Sequence, residues 1–196
     1  MKNLKTTQLL FLFTICVLTL VSCDSDNDPT NNVCENHYVN DLITAAYATA
    51  NGYDIVETMD LETHEYEIII NANGEICSVG YQNPSTYAGG YTMEIINGNT
   101  SYTGVHTFSQ TMLDYQAITP VAVAVGDVIT VRRTILPGYT NLNQTIGRIF
   151  RNTNFTNIAY PITEGNVVFQ SAAFYGAGGP VLNYGQPHIA LGFKVD

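Results

Sequence analysis

The chain has no tryptophan and little positive charge. Seven lysines and arginines stand against 17 aspartates and glutamates, a formal charge of −10 over 196 residues. A nucleic-acid partner needs a basic surface that displaces counterions, so that class is excluded. Docking onto anionic headgroups through protein charge is disfavoured on the same ground. Cysteine is scarce, at four, too few for a disulfide-dense miniature scaffold. The histidines His37, His64, His106 and His188 show no metal-ligand spacing. No nucleophile elbow, phosphate loop or dinucleotide fingerprint occurs. The run Gly176-Ala177-Gly178-Gly179-Pro180 is glycine-rich, but no helix start follows it. No repeat of fixed period is visible. No cofactor and no metal centre are expected.

What is present begins with an address. Lys2 and Lys5 precede an uncharged apolar run, Leu9 to Leu20, which is short of the ~20 residues a spanning helix needs. Leu20-Val21-Ser22-Cys23 follows, and the chain then turns acidic. This stretch resembles the bacterial lipoprotein pattern. The resemblance implies a signal peptide over 1–22, cleavage before Cys23, and diacylglyceryl attachment at its sulfur. Several acyl chains would hold the protein on a membrane firmly. An ordinary signal with a chance cysteine, or an uncleaved anchor, is the plainer reading. Acidic residues directly after the cysteine resemble a surface-display signal, although the enteric rule reads Asp24 as inner-membrane retention. The expectation is the outer membrane, on its outer face.

Residues 23–34 are polar and acidic and read as a tether. Asp24, Asp26, Asp28, Thr30, Asn32 and Glu35 fall in the register of an EF-hand calcium loop. Its sixth position needs a positive φ, and Pro29 cannot supply one. The spacer reading is preferred, and calcium is not expected. Losing Lys2 and Lys5 with the signal would take the formal charge from −10 to −12. Cys16 would leave as well, and Cys23 would carry lipid. Cys34 and Cys77 then remain as an even pair, which an oxidising envelope would bridge. Two free thiols are the alternative.

Residues 35–196 read as one domain. Asp41 is a candidate cap for the only expected helix, a short one near 41–50, with Asn51-Gly52 as its stop. From Glu65 the period is two: Tyr66, Ile68 and Ile70 share one face, Glu65 and Glu67 the other. Asn73-Gly74 and Asn97-Gly98 are hairpin signals. Thr119-Pro120 should end a strand, and Gly126-Asp127 should turn the chain. Further strands are expected near Ile146–Phe150, over Asn166–Tyr175 and over His188–Val195. Eight or nine short strands between turns predict an all-β, jelly-roll-like antiparallel β-sandwich.

Two longer runs carry a resemblance. Leu61-Glu62-Thr63-His64-Glu65-Tyr66-Glu67-Ile68 leads into Asn73 to Tyr81. Tyr115-Gln116-Ala117-Ile118-Thr119-Pro120-Val121 leads into Gly126 to Val131. Together they resemble an uncharacterised family of extracellular bacterial β-sandwich domains, often attached to surface or carbohydrate-active proteins. Tyr115 departs from it, since the family usually has tryptophan there. The resemblance implies a jelly-roll-like fold and carries no active site.

Candidate sites come from residue chemistry. Glu65 and Glu67 share a strand face at a spacing a retaining glycosidase could use, but any solvent-facing strand gives that spacing. Arg133 falls on the apolar face of its strand with Ile129, Val131 and Ile135. A charge there needs a partner or an exit, so Arg133 is a structural ion pair, a strand-end arginine, or an anchor for an acidic or sugar ligand. Tyr87, Tyr139, Tyr175 and Tyr184 lie in or beside loops, where aromatic faces could stack on sugar rings or simply cap the core. The combined reading is a surface-anchored, non-catalytic lipoprotein with a binding module for glycan or a protein partner. A structural envelope lipoprotein and a glycan-active enzyme are the alternatives.

Overall fold

The structure is a computed structural model that describes residues 33–196. Cys23 and most of the acidic tether lie outside them.

The N-terminal segment is stitched to the sheet. Cys34 is bonded to Cys77, with Cα atoms 5.9 Å apart. Glu35 pairs with Phe193 in an isolated antiparallel bridge. Helix α1 follows, Tyr38–Ala46. Its buried Val39, Ile43 and Ala46 lie at helical spacing and form its inward stripe. The expected cap at Asp41 is corrected. The cap position is His37, four residues earlier, because the apolar stripe already begins at Val39. Asp41 instead sits in the first turn, where its charge suits the helix dipole. The α-helix also ends earlier than expected, at Ala46, and Asn51-Gly52 instead closes a short 3-10 turn over Thr49–Asn51. Asn51 Nδ2 donates to the carbonyls of Ala45 and Ala46, and Gly52 turns the chain at φ +86°.

Thirteen strands follow among the described residues, and every pairing is antiparallel. β2 (Thr63–Ile70), β4 (Gly90–Asn97), β5 (Thr100–Thr107), β7 (Val128–Ile135), β10 (Val167–Tyr175) and β11 (Val181–Leu182) form one sheet in the order β11-β10-β2-β7-β4-β5. β9 (Ile162–Glu164) pairs with β10. The second layer is split. β13 (Ala190–Val195), β3 (Gly74–Tyr81) and β6 (Asp114–Val123) form one sheet; β1 (Tyr53–Thr58), β8 (Gly147–Asn152) and β12 (Gly185–Pro187) form another. Only His188-Ile189 separates β12 from β13, so a single segment joins the two. The layers and α1 enclose one apolar cluster that includes Ile43, Ile68, Val131 and Phe193. The all-β sandwich with one short helix is therefore what forms.

Period-two burial holds on β2, where His64, Tyr66, Ile68 and Ile70 face inward. Register fixes what crosses the large sheet. Phe174, His64, Arg133, Met93 and Gly104 form one inward row. Ala173, Glu65, Arg132, Glu94 and Thr103 form a row on the opposite face.

Two turn readings are corrected. Asn73-Gly74 is not a hairpin, because β2 and β3 belong to different sheets. Gly74 does not have positive φ; it is needed because a Cβ there would collide with the Lys194 carbonyl of β13. Thr119-Pro120 does not end a strand. β6 runs through Pro120, whose neighbourhood bulges: Ile76 pairs with Val121, and Ser78 with Ala117. β6 is the outer strand of its sheet, where a missing N–H costs little. Asn97-Gly98 does form a hairpin, with Asn97 opposite Thr100 and Gly98 at φ +54°. Gly126-Asp127 carries the chain from β6 to β7, again between sheets.

Candidate functional site

Arg133 is wholly buried, the largest such side chain among the described residues. Its guanidinium carbon stands 4.6 Å from the Tyr91 ring centroid and 5.6 Å from that of Tyr81. Nη2 donates to the Thr145 carbonyl at 3.0 Å. Gly147 lacks the Cβ that would strike both this guanidinium and the His64 ring. Burial, and then the Arg133 charge, hold His64 well below the usual histidine pKa, so it stays neutral. Its Nε2 pairs with the Met59 carbonyl at 3.0 Å. No carboxylate bonds Arg133 among the described residues. The aromatic faces do the electrostatic work instead.

The four expected tyrosines scatter. Tyr87 packs edge-on against Tyr91 at 5.3 Å, so it backs the Arg133 cluster. Tyr139 donates to Glu62 at 2.7 Å, which lowers the Glu62 pKa. Tyr175 donates to Glu65 at 3.2 Å on the outward face of the sheet. Tyr184 follows Asn183, whose N–H bonds the Ala172 carbonyl. The structure thus brings Tyr87 towards Arg133 and leaves Tyr139, Tyr175 and Tyr184 in separate places.

Glu65 and Glu67 are both engaged. Arg132 reaches Glu65 at 2.5 Å and Glu94 at 3.1 Å, and Ser171 donates to Glu67 at 2.9 Å. The remaining histidines each have a different partner: His37 meets Tyr115, His106 meets Tyr102, and His188 meets Asn40.

A pocket of about 510 Å³ opens elsewhere, where three distant turns meet. Asn73 comes from the β2–β3 crossover, Asn97 and Thr100 from the β4–β5 hairpin, Ala122 and Val123 from the end of β6, and Ala124 and Asp127 from the β6–β7 crossover. Hydrogen bonds lock these turns together. Asn73 Oδ1 accepts from the Val125 N–H at 3.0 Å. Asp127 Oδ2 accepts from the Ala124 N–H at 2.9 Å and from Asn97 Nδ2 at 2.7 Å. Asn97 Nδ2 also donates to the Ala122 carbonyl at 2.8 Å. The Ala124 N–H, then the Asn97 amide, lower the Asp127 pKa, so its carboxylate stays ionised into acid pH.

These bonds use one end of each side chain. Asn73 Nδ2, Asn97 Oδ1 and Asp127 Oδ1 make no hydrogen bond among the described residues. These three side chains line the pocket together with Ala122, Val123 and Ala124 and with the acidic Glu75 and Asp196. Sequence reading flagged Asn73, Asn97 and Asp127 only as turn residues. Their side-chain chemistry was visible; their convergence depended on which sheets the turns join.

Comparison with protein-family models, with curated proteins and with solved structures finds no match.

Proposed function

We propose that this chain is a lipid-anchored envelope protein whose β-sandwich binds neutral glycan, without catalysis, in the pocket at Asn73, Asn97 and Asp127. The observation that carries the reading is the mixed polar lining. A sugar hydroxyl donates and accepts at once, and an amide N–H, an amide oxygen and a carboxylate oxygen complement it. The apolar Val123 and alanine wall suits the C–H face of a pyranose. Hydrogen bonds already fix the three turns, so binding would order little further. The net charge of −10 disfavours anionic ligands.

A non-catalytic role is supported by the occupied carboxylates on the large sheet. Glu65 is neutralised by Arg132 and also takes the Tyr175 hydroxyl, so it is poorly placed as a free acid or nucleophile. The anchor at Cys23 and display on the outer face of the outer membrane belong to the same proposal. They rest on the Leu20-Val21-Ser22-Cys23 run and the acids behind it.

Two measurements test the reading. Full-length protein in detergent, probed on an array of neutral oligosaccharides, should bind, and Asp127→Asn should weaken that binding by about tenfold or more. Silence of the wild type across the array would remove the glycan reading. Cells fed an alkyne fatty acid should label the wild type and not Cys23→Ser; equal labelling would remove the anchor.

A further inference from the structure

Phe155 breaks two rules at once. It is a bulky residue at φ +59°, a region that favours glycine and asparagine, and it is 65% exposed. Neither feature follows from packing, since an asparagine would turn the chain here more easily and expose no ring. Strained, exposed aromatics persist where the side chain has a use.

The surroundings give that use a geometry. Phe155 lies just beyond β8, and the Arg151 guanidinium of β8 stands 4.3 Å from its ring centroid. One ring face is thereby covered, while the residue stays mostly open to solvent. The loop is held on both sides of the ring. Before it, the Phe155 N–H bonds the Asn152 carbonyl at 2.9 Å, and the Thr153 N–H bonds Gly52 at 2.9 Å. After it, the Ile158 N–H bonds the Asn183 carbonyl at 2.7 Å, and Asn157 Nδ2 bonds the Leu182 carbonyl at 3.2 Å. Ile158 itself is buried. The ring is presented by an anchored loop, not by a loose one.

We propose that Phe155 is a second glycan contact, a platform on which the C–H face of a neutral pyranose stacks. This rests on the glycan reading of the pocket and adds a separate place for a sugar ring. Arg151 fixes the ring plane from behind and polarises it. The open face takes the sugar, beside a loop that Asn157 Nδ2 holds in place through the Leu182 carbonyl. An anionic partner would find Arg151 already committed to the ring and the rest of the molecule strongly acidic.

Affinity electrophoresis tests this with the full-length protein in detergent, run through gels containing a soluble β-glucan, a galactomannan or a xylan. The wild type should be retarded by at least one of them. Phe155→Asn should lose that retardation by about tenfold or more in apparent affinity, and its Tm should rise by about 2 °C as the strained φ is relieved. Phe155→Leu keeps apolar bulk without an aromatic face and should lose retardation equally. Unchanged retardation in either variant, or a lower Tm in Phe155→Asn, would overturn the platform. If only Asp127→Asn loses retardation, the platform falls and the pocket stands. If only the Phe155 variants lose it, the platform stands and the pocket falls. A wild type retarded by none of the three overturns both.

Discussion

The Arg133 guanidinium is stacked on Tyr91, 4.6 Å from its ring centroid, inside a sandwich that gives the cation no hydrogen-bonded carboxylate among the described residues. The aromatic face matters here and the hydroxyl does not, because the Tyr91 hydroxyl is buried without a hydrogen-bond partner. Tyr91→Phe should therefore change stability by less than ~0.5 kcal/mol. Tyr91→Leu should cost about 2 kcal/mol or more by leaving a buried cation without its ring. Urea midpoints of the two variants check this, and equal losses would show that the ring face is not what holds Arg133.

His188 makes the fold acid-sensitive in a definite window. Burial first, then the nearby Arg148 charge, push its pKa down to about 4. The unfolded chain takes up the proton near pH 6.5 while the folded chain refuses it until about pH 4. Stability from this group is thus complete above pH 6.5 and is lost as pH falls towards 4, by up to about 3 kcal/mol. His64 shifts in the same direction and adds to the slope. Urea melts at pH 7 and pH 5 should show the fall, and His188→Gln should flatten it.

The Cys34–Cys77 bridge closes a loop of 43 residues. Restricting such a loop in the unfolded chain stabilises by about 4 kcal/mol on the chain-entropy model. Cys34→Ser with Cys77→Ser should lower stability on that scale, and a reductant should do the same to the wild type. A double variant that melts with the wild type would contradict it.

Gly74 separates the hairpin that the sequence suggested from the crossover that forms. In a two-residue hairpin, alanine at this position would cost about 1 kcal/mol through its φ. In the crossover its Cβ meets the Lys194 backbone and sits 2.7 Å from the Phe193 ring. Gly74→Ala should therefore cost more than Gly98→Ala, whose Cβ meets nothing within 4 Å. Thermal melts of both variants rank them directly.

The same residues mark what was legible in the sequence. The alternation of Glu65, Tyr66, Glu67 and Ile68 gave the faces of β2, and the apolar face of β7 rightly carried Arg133. The cysteine pair emerged by elimination. Pairing partners did not emerge. Asn73-Gly74 and Asn97-Gly98 share one local signature, yet one crosses between sheets and the other is a hairpin. Tertiary register decides that, and register is not a local property. The pocket was hidden for the same reason, since Asn73, Asn97 and Asp127 meet only after the sheets are stacked. Phe155 was hidden because the residue type gives no warning of a positive φ.

The most direct test is a neutral-oligosaccharide titration of ¹⁵N-labelled protein, read at the side-chain amides of Asn73 and Asn97 and the backbone amide of Ala124. Those signals should move together and saturate with one dissociation constant, and Asp127→Asn should weaken all three. Saturable binding that leaves these three amides still would place the ligand elsewhere and contradict the pocket.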